Sequence, residues 1–141
     1  IAQSLSALTK GSPAGRVVLI PIPSSAKMNR KRGFIHGQVL AEEVSRLIRQ
    51  PCIVNPILFH NRNVKDQSEL PYSARQGNLH EAHSVNLTKG NLGPSDLIFL
   101  IDDLVTSGSS VREAVRALKS ASIFPEAAIS ACAVSTSFRL R

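Results

Sequence analysis

The sequence IFLIDDLVTSGSS occupies residues 98–110, and the interpretation of the whole chain depends on it. Its first four residues are apolar, which predicts a strand buried on both faces of a parallel sheet. Two carboxylates, Asp102 and Asp103, follow at once, and adjacent carboxylates repel and desolvate each other. Thr106–Ser110 then provides four hydroxyls and one glycine immediately before a helix. Free N–H groups and the helix dipole favour an anion at such a point.

Either half of this stretch has a simple structural explanation, since two acids can begin a turn and serines can cap a helix. Both halves together, directly after a buried strand, favour a ligand site instead. An acid pair followed by an anion cradle suits a ligand with sugar hydroxyls at one end and a phosphate at the other.

Strands and helices alternate on both sides of this stretch. Apolar runs and helical spacing predict the following elements: strand Val17–Ile22, helix His36–Arg49, strand Ile53–Phe59, an extended piece Ser84–Leu87, strand Leu97–Ile101, helix Ser110–Ser120 with a Ser110–Glu113 capping box, and strand Ala127–Val134. This order predicts an α/β fold over residues 1–141, a single domain with a Rossmann-like parallel sheet flanked by helices. Ligands of such sheets bind beyond the carboxyl ends of the strands.

Composition narrows the function classes. Hydrophobic residues make up 43% of the chain and charged residues 19%, which is typical of a globular protein and excludes a disordered one. The apolar runs are too short to cross a bilayer, and no signal peptide pattern is present. The two cysteines, Cys52 and Cys132, are expected to be buried thiols in a reducing cytoplasm. Without an initiator Met, trimming of the native N-terminus stays open. The net charge of +7 indicates an anionic partner, either a phosphorylated small molecule or a nucleic acid.

Residues 98–110 resemble the 13-residue signature of the type I phosphoribosyltransferases. Within that superfamily the chain resembles the ComF-type proteins linked to natural competence, and the matching segments span residues 17–134: Pro21–Pro23, Arg30–Phe34, Gln67–Ser68, Ser73–Arg75 and Asn78–Leu79. The chain departs from the family at Ile35–His36, where Asn-Gln is usual, and at Ser109, where many enzymes have glycine. The Cys-rich zinc module of many members does not occur in this sequence.

The resemblance implies the type I phosphoribosyltransferase fold and a site for 5-phosphoribosyl-1-pyrophosphate (PRPP). Asp102 and Asp103 would hold the ribose hydroxyls, directly or through Mg²⁺, which prefers carboxylate oxygens and water. The 5-phosphate would be held by five consecutive residues, Thr106, Ser107, Gly108, Ser109 and Ser110. The reaction implied is displacement at C1 of the ribose, with release of pyrophosphate.

Two further segments would complete this site. The loop after the first strand, with Ser24, Ser25 and Lys27, would contact the pyrophosphate. The long polar stretch Asn61–His83 would close over the site, and in it the resemblance singles out Arg75, together with Gln67 and Ser68. Long polar stretches in compact domains are usually functional or disordered.

Other interpretations stay open. The basic run of Lys27 and Arg30–Arg32 could be a solvated face, or it could bind nucleic acid. Against binding of single-stranded DNA, only 4% of the residues are aromatic and none is Trp, so few side chains could stack on the bases. A non-catalytic PRPP sensor, or a DNA-uptake protein that works with the competence machinery, is the main alternative to an enzyme. His80 and His83 have the spacing of a metal pair but no obvious third ligand. The expected acceptor is a nucleobase whose identity stays open, as does the oligomeric state, for which a homodimer is one alternative.

Overall fold

The computed structural model describes residues 15–24, 35–60, 82–89, 92–93, 95–105 and 107–121, and the backbone of residues 129–136. Along the chain the elements are β1 (Val17–Pro21), α1 (His36–Leu47), β2 (Cys52–Val54), β3 (Leu58–His60), β4 (His83–Val85), a short 3-10 turn (Leu87–Lys89), β5 (Leu97–Val105), α2 (Ser109–Ser120) and β6 (Ile129–Thr136). The predicted alternation of strands and helices is confirmed.

The main sheet has four parallel strands in the order β2-β1-β5-β6. From β1 the chain passes through α1 to β2 on one side, and β5 then joins β1 on the other side. The strand order therefore reverses between β1 and β5, which is where open parallel sheets bind their ligands. The predicted Rossmann-like parallel sheet with flanking helices is confirmed by this arrangement.

Side chains alternate between the two faces of the sheet and build two apolar layers. Val18, Ile20, Ile98 and Leu100 pack with the buried face of α2. Val17, Leu19, Phe99 and Ile101 pack with Ala41 and Val44 of α1. Because both faces are covered, β1 is a continuous apolar run rather than an alternating one, as the sequence predicts.

The prediction of one strand over Ile53–Phe59 is wrong, because this stretch forms β2 and β3, which belong to different sheets. After Val54 the Asn55 N–H still donates to the Leu19 carbonyl at 2.9 Å, but Pro56 has no N–H with which to continue the ladder. Strand β3 then pairs antiparallel with β4 in a separate two-stranded sheet. Ile57 and Leu58 pack against the same apolar layer as α2, so the small sheet lies on that face.

The capping box predicted for Ser110 and Glu113 is also wrong. Helix α2 begins at Ser109, and its N-cap is Gly108, which has no side chain with which to cap. Glu113 is buried and binds elsewhere: its Oε1 accepts the His83 N–H at 3.2 Å, and both its oxygens accept from the Arg116 guanidinium at 2.8 Å. Arg116 also donates to the His83 carbonyl at 3.1 Å. The Glu113–Arg116 pair thus joins α2 to β4.

Candidate functional site

The two acids predicted to follow the central strand lie inside it, beyond the point where its neighbour ends. Strand β1 stops at Pro21, opposite Ile101, and the Ile22 N–H makes a further hydrogen bond of 2.9 Å to the Ile101 carbonyl. Strand β5 continues to Val105, and beyond Ile101 its partner among the described strands is β6. The prediction that the strand ends at Ile101 is therefore corrected by four residues, while Asp102 and Asp103 still occupy the carboxyl edge where the strand order reverses.

Asp102 has a strongly perturbed carboxyl group. Burial, followed by the hydrogen bond and the negative charge of Asp103, raises the pKa of Asp102 to about 7. The N–H groups of Asp103 and Leu104 act in the opposite direction, and the Asp103 N–H donates to Asp102 Oδ1 at 2.9 Å. Near neutral pH this carboxyl can therefore either donate a proton in a hydrogen bond or accept one.

Asp103 lies next to the start of α1. His36 Nε2 is 3.8 Å from Asp103 Oδ2, so the first turn of α1 reaches the acid pair. Gly37 makes this approach possible, because a Cβ there would lie 3.1 Å from the Ile22 carbonyl oxygen and 3.7 Å from that of Ile101.

The N-termini of α1 and α2 both lie at this edge of the sheet, and the first residues of neither helix offset the positive end of its dipole. The N-cap residues are Ile35 for α1 and Gly108 for α2, neither of which can accept a backbone N–H through its side chain, and neither first turn contains an acid. The Ser109 N–H donates to Ser107 Oγ across a long 3.4 Å. The positive ends of two helix dipoles are therefore available to a ligand anion.

The loop before α2 has the shape expected of an anion cradle. Gly108 adopts φ 70° and ψ 9°, a left-handed conformation that favours glycine. The hydroxyls of Ser107 and Ser109 share a hydrogen bond of 2.8 Å, and Ser109 is buried. An open cleft lies in front of them, lined by Asp102, Leu104, Val105 and residues 107–111. The structure thus brings Asp102 together with four of the five residues predicted to hold the phosphate.

Arg112 is a candidate that the sequence analysis missed. Its Nη2 donates to Ser109 Oγ at 3.4 Å, and its Nη1 lies 3.4 Å from the position of a Cβ on Gly108. A cation in the first turn of a helix opposes the dipole and is destabilising unless an anion binds there. That mismatch was visible in the sequence and could have identified Arg112 as a candidate anion-binding residue.

Several predicted site residues cannot be placed beside this cleft. Ser25, Lys27, Arg75 and Thr106 lie outside the described residues, as does nearly all of the segment predicted to close over the site. Ser24 is described and follows β1 at the same edge of the sheet as Asp102. The binding and catalytic roles assigned to all of these residues stay predictions.

Comparison with known proteins places the chain next to two competence proteins. It is 34% identical over 113 residues to competence protein ComFC of Bacillus subtilis, an alignment that covers 80% of this chain and 42% of that protein. It is 28% identical over 101 residues to competence protein F of Haemophilus influenzae, covering 72% of this chain and 43% of that protein. The chain therefore spans less than half the length of these relatives. No family model matches the chain.

Proposed function

The chain is related over most of its length to the ComF-type competence proteins, and we propose that it binds PRPP with Mg²⁺ and transfers the 5-phosphoribosyl group to an acceptor with release of pyrophosphate. The observation that carries this proposal is the cleft in front of α2. It has a protonatable carboxyl, Asp102, at one end and an uncapped helix N-terminus at the other. A sugar phosphate likewise has hydroxyls at one end and a phosphate at the other.

Each described residue has a definite task in this proposal. The N–H groups of Ser109 and Ser110, with the hydroxyls of Ser107 and Ser109, bind the 5-phosphate, and Arg112 adds a positive charge beside it. Asp102 and Asp103 bind the ribose 2- and 3-hydroxyls and fix the orientation of C1. Holding both ends of the sugar supplies much of the rate, because it places the reacting carbon before the acceptor arrives.

A magnesium ion fits the donors at this edge. Asp102 and Asp103 offer carboxylate oxygens, the hard ligands that Mg²⁺ prefers, and few other protein ligands are needed because Mg²⁺ keeps several waters. When bound, the ion would neutralise charge on the leaving pyrophosphate. Lys27, Ser24 and Ser25 are proposed to contact the same pyrophosphate, and Arg75 to contact the bound substrate.

A second candidate function rests on the names of the relatives and on the net charge. Both relatives are competence proteins, and this chain has a formal charge of +7. In this alternative the domain binds PRPP without turnover, or binds single-stranded DNA as part of the competence machinery, since a fold does not determine its function. Lys27 and Arg30–Arg32 would then contribute equally to DNA binding.

The test combines binding and turnover. We expect calorimetry to detect PRPP binding in the presence of Mg²⁺, and the double variant D102N/D103N to lose it while remaining folded. The matched control is D96N, which removes a carboxyl that pairs with Arg16 at 2.8 Å at the opposite end of β5. Unchanged PRPP affinity in the double variant would remove the ribose role. Pyrophosphate release with a panel of nucleobases then separates an enzyme from a sensor, and titration with single-stranded DNA tests the second candidate.

A further inference from the structure

Two histidines outside the proposed PRPP cleft face each other across the small sheet. His60 is the last residue of β3 and His83 the first residue of β4, and the two are direct cross-strand partners. Their rings lie with centroids 4.8 Å apart at an angle of 48°. His83 is only 2% exposed, so this contact is part of the interior.

All four ring nitrogens of this pair are buried without a hydrogen-bond partner. The carbonyls of Pro23, Ser24 and Ala82 lie near the His60 ring and partly counteract the lowering of its pKa, but no hydrogen bond to either nitrogen is completed. A neutral imidazole has one donor and one acceptor, and burying both without partners costs free energy. Structures rarely keep such groups unless a water, an ion or a ligand satisfies them.

The unpartnered ring nitrogens suit a transition-metal ion, because imidazole nitrogen is the commonest protein ligand of such ions. Glu113 accepts the His83 backbone N–H at 3.2 Å and pairs with Arg116 at 2.8 Å, so its carboxylate is bound to groups other than the two rings.

The separation of the rings is also that of two imidazoles on one ion. With Zn–N bonds of about 2.0–2.1 Å and near-tetrahedral angles, the two ring centres lie about 5 Å apart. The observed spacing of 4.8 Å fits this geometry. We propose that His60 and His83 together bind a divalent transition-metal ion of the zinc class. This site is distinct from the proposed Mg²⁺ site, since imidazole suits zinc, copper and nickel whereas Mg²⁺ takes oxygen ligands.

The remaining coordination positions fall to water. Among the described residues no group of three histidine, cysteine, aspartate or glutamate side chains is close enough to hold an ion. A site with two protein ligands binds less tightly than a closed structural zinc site, which has four. The ion would join β3 to β4 on either side of residues 61–81, and binding to the folded state alone would raise the thermal stability.

The experiment titrates the full chain with Zn²⁺, and with Mg²⁺ as the contrasting ion, without PRPP. We expect one Zn²⁺ per chain with a dissociation constant of about 10 µM or lower, a rise in melting temperature with Zn²⁺ concentration, and no competition from Mg²⁺. H60L and H83L each replace a buried, unpartnered imidazole by an apolar side chain of similar size, and each should weaken Zn²⁺ binding about tenfold or more. The matched control is H36Q, which removes a histidine outside the pair and should leave Zn²⁺ affinity unchanged.

X-ray absorption of the zinc-loaded wild-type protein gives a result that does not depend on the folding of any variant. Two imidazole ligands per zinc would support the assignment. Absence of saturable Zn²⁺ binding, equal affinity in wild type and both leucine variants, or a zinc shell without imidazole would overturn it. None of these measurements depends on Asp102, Asp103 or the loop before α2. A negative result for zinc binding would therefore leave the proposed transferase function untouched, and the reverse also holds.

Discussion

Replacement of Asp102 by asparagine should make the protein more stable while removing its proposed ligand affinity. Asparagine has nearly the shape of a protonated aspartic acid, and its amide oxygen can still accept the Asp103 N–H that now bonds Asp102 Oδ1 at 2.9 Å. What the substitution removes is the negative charge, which burial and the neighbouring Asp103 make unfavourable in the folded state.

The size of the effect follows from the pKa of Asp102, which is about 7 in the folded protein against an ordinary value of 3.8. Below the lower value the carboxyl is protonated in both states and contributes nothing. Between the two values the unfolded chain loses its proton and the folded chain keeps it, so the free energy of unfolding falls as the pH rises. Above about 7 the full cost is reached, and at about 1.4 kcal/mol per pH unit it amounts to at most about 4 kcal/mol.

The assay is urea denaturation of D102N and wild type from about pH 4 to about pH 8, without Mg²⁺ or phosphate. We expect the two proteins to be equally stable at about pH 4, and D102N to be more stable by up to about 4 kcal/mol at about pH 8. His83 contributes a slope of opposite sign, since burial lowers its pKa to about 4. Both proteins contain His83, so the difference between them isolates Asp102.

The control is D96N, for which the sign should reverse. Burial of Asp96 acts to raise its pKa, but the hydrogen bond from Arg16 and that from the Gly93 N–H outweigh it and lower the pKa overall. Stability from Asp96 is therefore present above its ordinary pKa of 3.8 and lost as the pH falls through the lower, folded-state pKa. D96N should be less stable than wild type at about pH 8. If D102N were no more stable than wild type there, the burial of the Asp102 charge would be refuted.

Two more substitutions test the phosphate cradle. R112Q should lower affinity for ribose 5-phosphate about fivefold by calorimetry, because a charged donor beside Ser109 is lost. The control K119Q removes a positive charge in the last turn of the same helix and should leave this affinity unchanged. Equal losses of affinity in both variants would assign the effect to net charge. G108A should lower the free energy of unfolding by about 1 kcal/mol, since alanine at φ 70° is strained. G93A is its control, where a Cβ would meet only Asp96 at 3.9 Å and no left-handed backbone is required, so a similar loss there would contradict the conformational explanation.

The central fold could be predicted because its elements have unmistakable periodicity. Val17–Pro21 and the first residues of β5 are uninterrupted apolar runs buried on both faces, and Ala114, Ala117 and Leu118 lie on one face of α2. The division of Ile53–Phe59 was missed because apolar residues lie on both sides of Asn55 and Pro56. A proline within such a run is evidence against a single central strand, and here that evidence was correct.

The candidate site was predicted less completely, for reasons that concern tertiary contacts. Asp102 and the serines are adjacent in sequence to the strand and helix that position them, so local pattern was sufficient. Glu113 was assigned to a helix cap because its spacing from Ser110 is that of a capping box, but a buried backbone N–H of β4, remote in sequence, binds it instead. His60 and His83 are separated by more than twenty residues, and only the pairing of β3 with β4 brings them together.

At the carboxyl edge of the main sheet three features lower the stability of the free protein, and one ligand would relieve them all. A buried carboxyl at Asp102 resists ionisation, the N-cap residues Ile35 and Gly108 make no side-chain cap hydrogen bond, and Arg112 adds positive charge to an already positive helix end. A structural role explains none of these choices, because serine or aspartate at the cap position and an apolar residue in place of Asp102 would be more stable. A phosphate neutralises the helix end and Arg112, and sugar hydroxyls with a cation satisfy the acids. Such departures from local preference are expected where function constrains the sequence, and for this reason the stability gained in D102N should coincide with loss of PRPP affinity.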